Sequence, residues 1–146
     1  MAVLTDEQRE FLAKHRLCVV GLASKSGGPM LTPVYYVMDG DNILISTTSS
    51  RAKAKAIRRN PAVSVCVLHE EMPFPYLTIR GHGVIEEDGA AELLARIAER
   101  VSGNPVPDAA RSALEQRARD EGRVVLRVTP ESTLNTAPIG RARPSA

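Results

Sequence analysis

The chain has 146 residues, 43% of them hydrophobic and 25% charged, which suits one globular domain with a core to bury. Nineteen basic against 17 acidic residues leave a net charge of +2, too small to point to a nucleic acid or a membrane surface. No apolar run approaches the roughly 18 residues of a membrane span. Early acids in MAVLTDEQREF stand where a secretory signal would be basic and then apolar, so a cytoplasmic protein is expected.

Thr5 and Gln8 have the spacing of a capping box and predict a first helix over 6–15, with Phe11 and Leu12 as its apolar contacts. Residues 16–24 (RLCVVGLAS) read as a strand whose near-continuous apolar character predicts burial on both faces. A turn over 25–28 leads into a second strand, Met30 to Met38. Pro33 places that strand at an edge, a bulge, or a point where a ligand meets the backbone. Asp39-Gly40-Asp41 is the next turn and Asn42 to Ser46 the third strand, so the first three strands form an antiparallel meander.

The stretch 47–61, TTSSRAKAKAIRRNP, follows directly. Four hydroxyl residues, Thr47, Thr48, Ser49 and Ser50, run into an alanine-rich helix with five basic side chains, and Ser49 or Ser50 is expected as its N-cap. A helix opening in this way offers unpaired backbone N–H groups and a positive dipole end to an anion. With Arg51 and Lys53 added, the junction has the makings of a phosphate seat. At 100° per residue, Arg51, Lys55, Arg58 and Arg59 share one side, while Lys53 falls opposite, near Ala56 and Ile57. A cation on the packing face needs a partner, so Lys53 either meets an anion, pairs with an acid, or reaches out along its stem.

Asn60-Pro61 ends the helix, and Ala62 to His69 (AVSVCVLH) is a fourth strand with β-branched residues at alternate positions. After a loop over 70–75, Tyr76 to Glu86 is a fifth strand in which Gly81 and Gly83 mark a bend or a close backbone approach. A third helix opens at Asp88 or Gly89 and runs to about Ser102 with Leu93, Leu94, Ile97 and Val101 on one stripe. Past a Pro/Gly linker, Asp108 caps a fourth helix to about Glu121, and Arg123 to Val128 is a sixth strand. Cys18 and Cys66, each inside an apolar strand, read as reduced core residues. The tail from Ala137 lacks apolar periodicity and is expected to be loose. With no internal repeat or domain boundary over 1–146, the expectation is a mainly β domain with peripheral helices, a six-stranded antiparallel sheet closing on itself as a barrel.

Acid–base and nucleophilic chemistry find little support. His15, His69 and His82 are far apart in sequence, and no G-x-S-x-G elbow occurs. His69-Glu70-Glu71 is not a zinc helix, because Pro73 stands where the second histidine would be. Gly81-His82-Gly83 lacks the third glycine of a dinucleotide fingerprint. Nucleic-acid binding would call for aromatic platforms among the basic residues, whereas the chain has no tryptophan and its few aromatics lie elsewhere.

TPVYY on strand two, ILISTTSSRAKAKAIRRNPAVSV across strand three, helix and strand four, and LTIRGHGVIEED on strand five resemble the pyridoxamine 5'-phosphate oxidase-like, FMN-binding split β-barrel family. The RAKxxxIRRNP pattern is most similar to its branch that uses the deazaflavin coenzyme F420. The resemblance implies a homodimer with the cofactor in a groove between two barrels. It also implies that no catalytic side-chain triad and no metal are needed. Carried over by position, Thr47, Thr48, Ser49, Ser50, Arg51 and Lys53 match the cofactor-phosphate site. Thr32, Pro33 and Val34 match the segment whose backbone lies beside the tricyclic ring. The deazaflavin carries a phosphate followed by several glutamates, so the further cations Lys55, Arg58 and Arg59 would suit it better than FMN, which ends at the phosphate. The C-terminal arginine and histidine segment that binds pyridoxamine phosphate has no counterpart, so the implied reaction is hydride transfer from reduced F420 to a small conjugated or ring-containing acceptor. An FMN-dependent reductase, or a non-catalytic binder of a cofactor or tetrapyrrole, is the alternative, with small molecules as partners rather than nucleic acid or membrane.

Overall fold

The computed structural model describes residues 2–136 and 139. In chain order the elements are α1 (Asp6–Lys14), β1 (Leu17–Ala23), β2 (Pro29–Tyr35), β3 (Val37–Asp39), β4 (Asn42–Thr48) and α2 (Ala52–Arg59). They continue as β5 (Ala62–Leu68), β6 (Tyr76–Glu86), α3 (Ala90–Ser102), α4 (Asp108–Glu121) and β7 (Arg123–Asn135). The expectation for the tail from Ala137 falls outside the described residues, save Ile139, which is buried in the core.

All seven strands form one antiparallel sheet in the order β2-β1-β5-β6-β7-β4-β3. Its two edge strands, β2 and β3, are consecutive in the chain with only Tyr36 between them. The sheet therefore curls until its edges face each other, and one residue bridges the gap. Tyr36 is fully buried there: its N–H donates to the Arg16 carbonyl and its hydroxyl to the Leu12 carbonyl at 2.6 Å. This corrects the six-strand expectation, because the predicted second strand breaks at Tyr36 into two that belong to opposite edges. The barrel is split rather than closed, with β2 approaching β4 but not entering its ladder. Pro33 lies in an edge strand, opposite Val19, where its missing N–H costs the sheet nothing.

The interior holds Val20, Leu22, Ile43, Ile45, Val65, Ile79, Leu126 and Val128. β1 alternates, after an exposed Leu17, between buried and half-buried positions instead of being buried on both faces. α1 contributes Phe11 and Leu12 to the core. Its capping box forms as expected, with Gln8 N–H donating to Thr5 Oγ1 at 3.2 Å and Thr5 N–H to Gln8 Oε1 at 2.9 Å. β7 runs on past Val128 to Asn135, paired with β6 through a register shift at Arg80/Gly81. Gly81 is required there: a Cβ would meet the Thr129 carbonyl oxygen at 2.0 Å. α3 and α4 pack together over the outer face of β4 and β7, where Leu93 joins Val37, Leu44 and Val125.

Candidate functional site

α2 is seated by its apolar stripe. Ala54, Ala56 and Ile57 are buried, while Arg51, Lys55, Arg58 and Arg59 face outward and Lys53 is half-buried, as the helical wheel places them. The hydroxyl run does not cap the helix as expected. Arg51 is the N-cap residue and makes no side-chain cap bond, because Thr47 and Thr48 still belong to β4 and Ser49-Ser50 form the turn that follows. Similarly Pro107, not Asp108, is the N-cap of α4. The first turn of α2 therefore keeps its N–H groups free of side-chain partners and holds no acid.

Beside this end of α2 lies a groove of about 470 Å³ at the barrel's split. Thr32, Pro33, Val34 and Tyr35 of β2 form one wall, and Leu94, Ile97 and Ala98 of α3 with Leu114 of α4 form an apolar wall. Arg51, Lys53, Arg117, Arg123 and Ser46 supply the polar lining. The cations are poorly compensated. Among the described residues neither Arg51 nor Lys53 has a carboxylate within salt-bridge distance, and Arg117 and Arg123 share one, Glu121, at 3.0 and 2.6 Å. Desolvation, then the Arg51 charge, holds the Lys53 ammonium below the usual lysine range. Hydrogen bonds from Arg117 and then Arg123 hold the Glu121 carboxyl below its usual range. An anionic ligand beside Lys53 would favour its charged form.

Of the residues singled out from sequence, the groove brings together Thr32, Pro33, Val34, Arg51 and Lys53. Thr47 is buried beneath it with Oγ1 unpartnered, Thr48 is buried, Ser49 is half-buried and Ser50 is exposed. Arg58 turns back to the Ser49 carbonyl and Oγ at 3.2 and 3.1 Å, and Arg59 reaches the Ala23 carbonyl, so neither lines the groove. Sequence reasoning missed Arg117 and Arg123. Arg123 pairs with Thr48 across β4 and β7, and only that long-range register carries it into the groove beside Arg51 and Lys53. A wider hollow of about 600 Å³ on the uncovered outer face, between Gly21, Leu31, Arg80 and Ser132, has a single cation, Arg80, beside Glu131 and lacks this convergence.

Fold and groove define a split antiparallel barrel with a cation-lined seam. The chain belongs to the pyridoxamine 5'-phosphate oxidase family, whose model matches residues 4–137. That membership supports the broad class of flavin-binding oxidoreductases. Among solved structures, a conserved hypothetical protein, Rv2991, from Mycobacterium tuberculosis is similar with a TM-score of 0.82 and 21% identity over 99% of this chain and 92% of that one. An F420 reductase is similar with a TM-score of 0.71 and 22% identity over 90% and 98%. HutZ, the heme storage protein of Vibrio cholerae, is similar with a TM-score of 0.66 and 16% identity over 92% and 94%. These likenesses establish the fold. No curated protein matches the chain in sequence. Among the described residues no helix is long and apolar enough to cross a membrane.

Proposed function

We propose that the chain is an F420-dependent oxidoreductase, which transfers a hydride from the reduced deazaflavin to a small conjugated or ring-containing acceptor. The observation that carries this reading is the gathering of Arg51, Lys53, Arg117 and Arg123 around one groove against the single carboxylate Glu121. The donor set fits the cofactor. Arg51, Lys53, Arg123 and the free N–H groups of α2 would take the phosphate, and Arg117 offers further positive charge to a polyanionic tail. A likeness to an F420 reductase supports the same choice. FMN, which ends at its phosphate, would make no use of Arg117 and is the alternative.

When bound, the deazaflavin supplies the hydride. The chain's own contribution is placement. The backbone of Thr32, Pro33 and Val34 lines the groove as an edge strand, and Leu94, Ile97 and Leu114 keep water from the opposite side. None of the three histidines lines the groove. A homodimer accords with the uncovered outer sheet face, where Leu17, Leu31, Leu68 and Leu134 are 50%, 67%, 54% and 55% exposed.

Fluorescence titration of the purified protein with F420 and with FMN tests the reading. Micromolar F420 binding, followed by faster oxidation of reduced F420 when nitroaromatic or quinone acceptors are added, is expected. Binding of FMN alone would overturn the cofactor choice, and binding without acceptor-dependent turnover would leave a storage protein. Sedimentation at micromolar concentration tests the dimer, and a monomer would contradict it.

A further inference from the structure

His15 ends α1 and His69 directly follows β5, both outside the groove lining. His15 Nε2 and His69 Nδ1 stand 3.4 Å apart, with the ring planes at 71° and the centroids 5.4 Å apart. The His15 ring is held from behind. Phe11 lies against the His15 ring at 4.3 Å, and His15 Nδ1 is 2.7 Å from the Phe11 carbonyl oxygen. A carbonyl can only accept, so Nδ1 carries the proton and Nε2 presents a lone pair. His69 Nε2 faces the Glu71 carboxylate at 3.5 Å, and the His69 main-chain N–H donates to the Pro75 carbonyl at 2.9 Å.

A neutral pair has two ring protons, and no placement of them satisfies every contact. One is fixed on His15 Nδ1. With the other on His69 Nε2, toward Glu71, two lone pairs face each other across 3.4 Å. With it on His69 Nδ1, a lone pair faces the Glu71 carboxylate instead. Either an extra proton or a metal ion resolves the conflict, and the spacing favours the metal. Metal–imidazole bonds of about 2.0–2.1 Å meeting at a tetrahedral angle hold two nitrogens about 3.4 Å apart. A hydrogen bond between the rings would draw them to about 2.7–3.2 Å. A carbonyl behind one ring and a carboxylate behind the other are also the outer partners that orient metal-binding histidines.

We propose that His15 and His69 form a site for a divalent transition-metal ion that favours imidazole nitrogen, such as Zn²⁺ or Cu²⁺, with water or a small ligand completing its coordination. Among the described residues no cluster of three His, Cys, Asp or Glu side chains could hold a metal, so the protein supplies two ligands. Lys14, Arg16 and Arg100 line the same hollow of about 440 Å³. Lys14 pairs with Glu10, Arg16 donates to the Val101 carbonyl, and Arg100 donates to the carbonyls of Leu12, Ala13 and His15. Their positive charge opposes any cation, and only ions whose bond to imidazole is strong enough to offset it can bind, which excludes Mg²⁺ and Ca²⁺ with their preference for oxygen ligands. The bound ion ties the end of α1 to the 69–75 loop.

Full-length protein stripped with a chelator is titrated with Zn²⁺ and Cu²⁺ by calorimetry, and the copper-loaded sample is read by electron paramagnetic resonance. One copper per chain with two imidazole nitrogens in its hyperfine pattern is expected. Binding weakens at least about tenfold in His15→Asn and in His69→Asn, and about tenfold in Glu71→Gln, the size of an outer-partner effect. His82→Asn leaves it unchanged. Should His15→Asn fail to fold because it loses the Phe11 contact, His69→Asn, in an exposed loop, carries the test. Undiminished binding in His69→Asn, a copper signal with one nitrogen, or a pair that responds to acid and not to metal overturns the proposal.

Discussion

Gly83 on β6 lies directly under Ile57 on α2: a Cβ at position 83 would stand 2.9 Å from Ile57 Cδ1 and 2.8 Å from Leu126 Cδ1. The bare backbone of one strand thus sets how closely the basic helix approaches the sheet, and with it where Arg51 and Lys53 enter the groove. The adjoining contact, Gly83 N–H donating to the Pro61 carbonyl at 2.8 Å, fixes the other end of the same helix.

Alanine at the two β6 glycines should separate the two kinds of close approach. Gly83→Ala meets only terminal side-chain carbons, which can shift, and costs about 1 kcal/mol in urea unfolding. Gly81→Ala meets the Thr129 main-chain oxygen and carbon, cannot be relieved by a rotamer change, and costs about 3 kcal/mol or more. Equal effects would mean that the bulge at Arg80/Gly81 is pliable.

Lys53→Ala is expected to weaken F420 by about 1.5–3 kcal/mol, the range for a lost hydrogen bond to a charged group. Arg59→Ala should leave affinity nearly unchanged, since that guanidinium is directed to the Ala23 carbonyl. Fluorescence titration of both variants checks the contrast. Unaltered binding in Lys53→Ala would remove that lysine from the site.

Much of this arrangement was legible from local pattern. The capping box at Thr5 and Gln8, the edge position of Pro33, the half-buried face for Lys53 and the close approach at Gly81 and Gly83 each follow from chemistry within a few residues. What could not be read depends on long-range pairing. Tyr36 looks like the middle of a strand until the sheet order shows that the residues on either side belong to opposite edges. Arg123 looks like an ordinary strand start until Thr48 lies across from it. The helix cap was misjudged because β4 continues two residues further along its β7 ladder and draws Thr47 and Thr48 into the sheet.

Alkaline pH should destabilise the fold in a defined direction. Burial, with a smaller contribution from Cys66, pushes the Cys18 thiol up to about 12, and burial likewise raises the Tyr36 phenol. Both groups keep their protons when folded over a range in which the unfolded chain loses them. Stability is therefore full below the ordinary thiol range and falls as pH climbs from there toward the raised values, by about 1.4 kcal/mol per pH unit for each group. Urea midpoints measured across this range should decline, and Cys18→Val should delay the onset. A flat profile would mean that the core admits water around Cys18.

The second pair of groove cations gives the test that bears on cofactor choice. Arg117 is about half exposed and shares Glu121 with the more buried Arg123. If the groove beyond the phosphate end receives a polyanionic tail, Arg117→Ala should weaken F420 by about 1 kcal/mol, the upper range for an exposed ion pair, and leave FMN unaffected. The wild-type affinity for F420 should also fall more steeply with added salt than that for FMN, because more opposed charges are screened. Arg123→Ala is expected to act on both cofactors, since it sits against β4 opposite Thr48, beside the end of the groove proposed to take the phosphate. Equal losses for F420 and FMN in Arg117→Ala would mean that the tail leaves the protein before reaching α4, and the preference for the deazaflavin would then have to rest on the ring end of the groove.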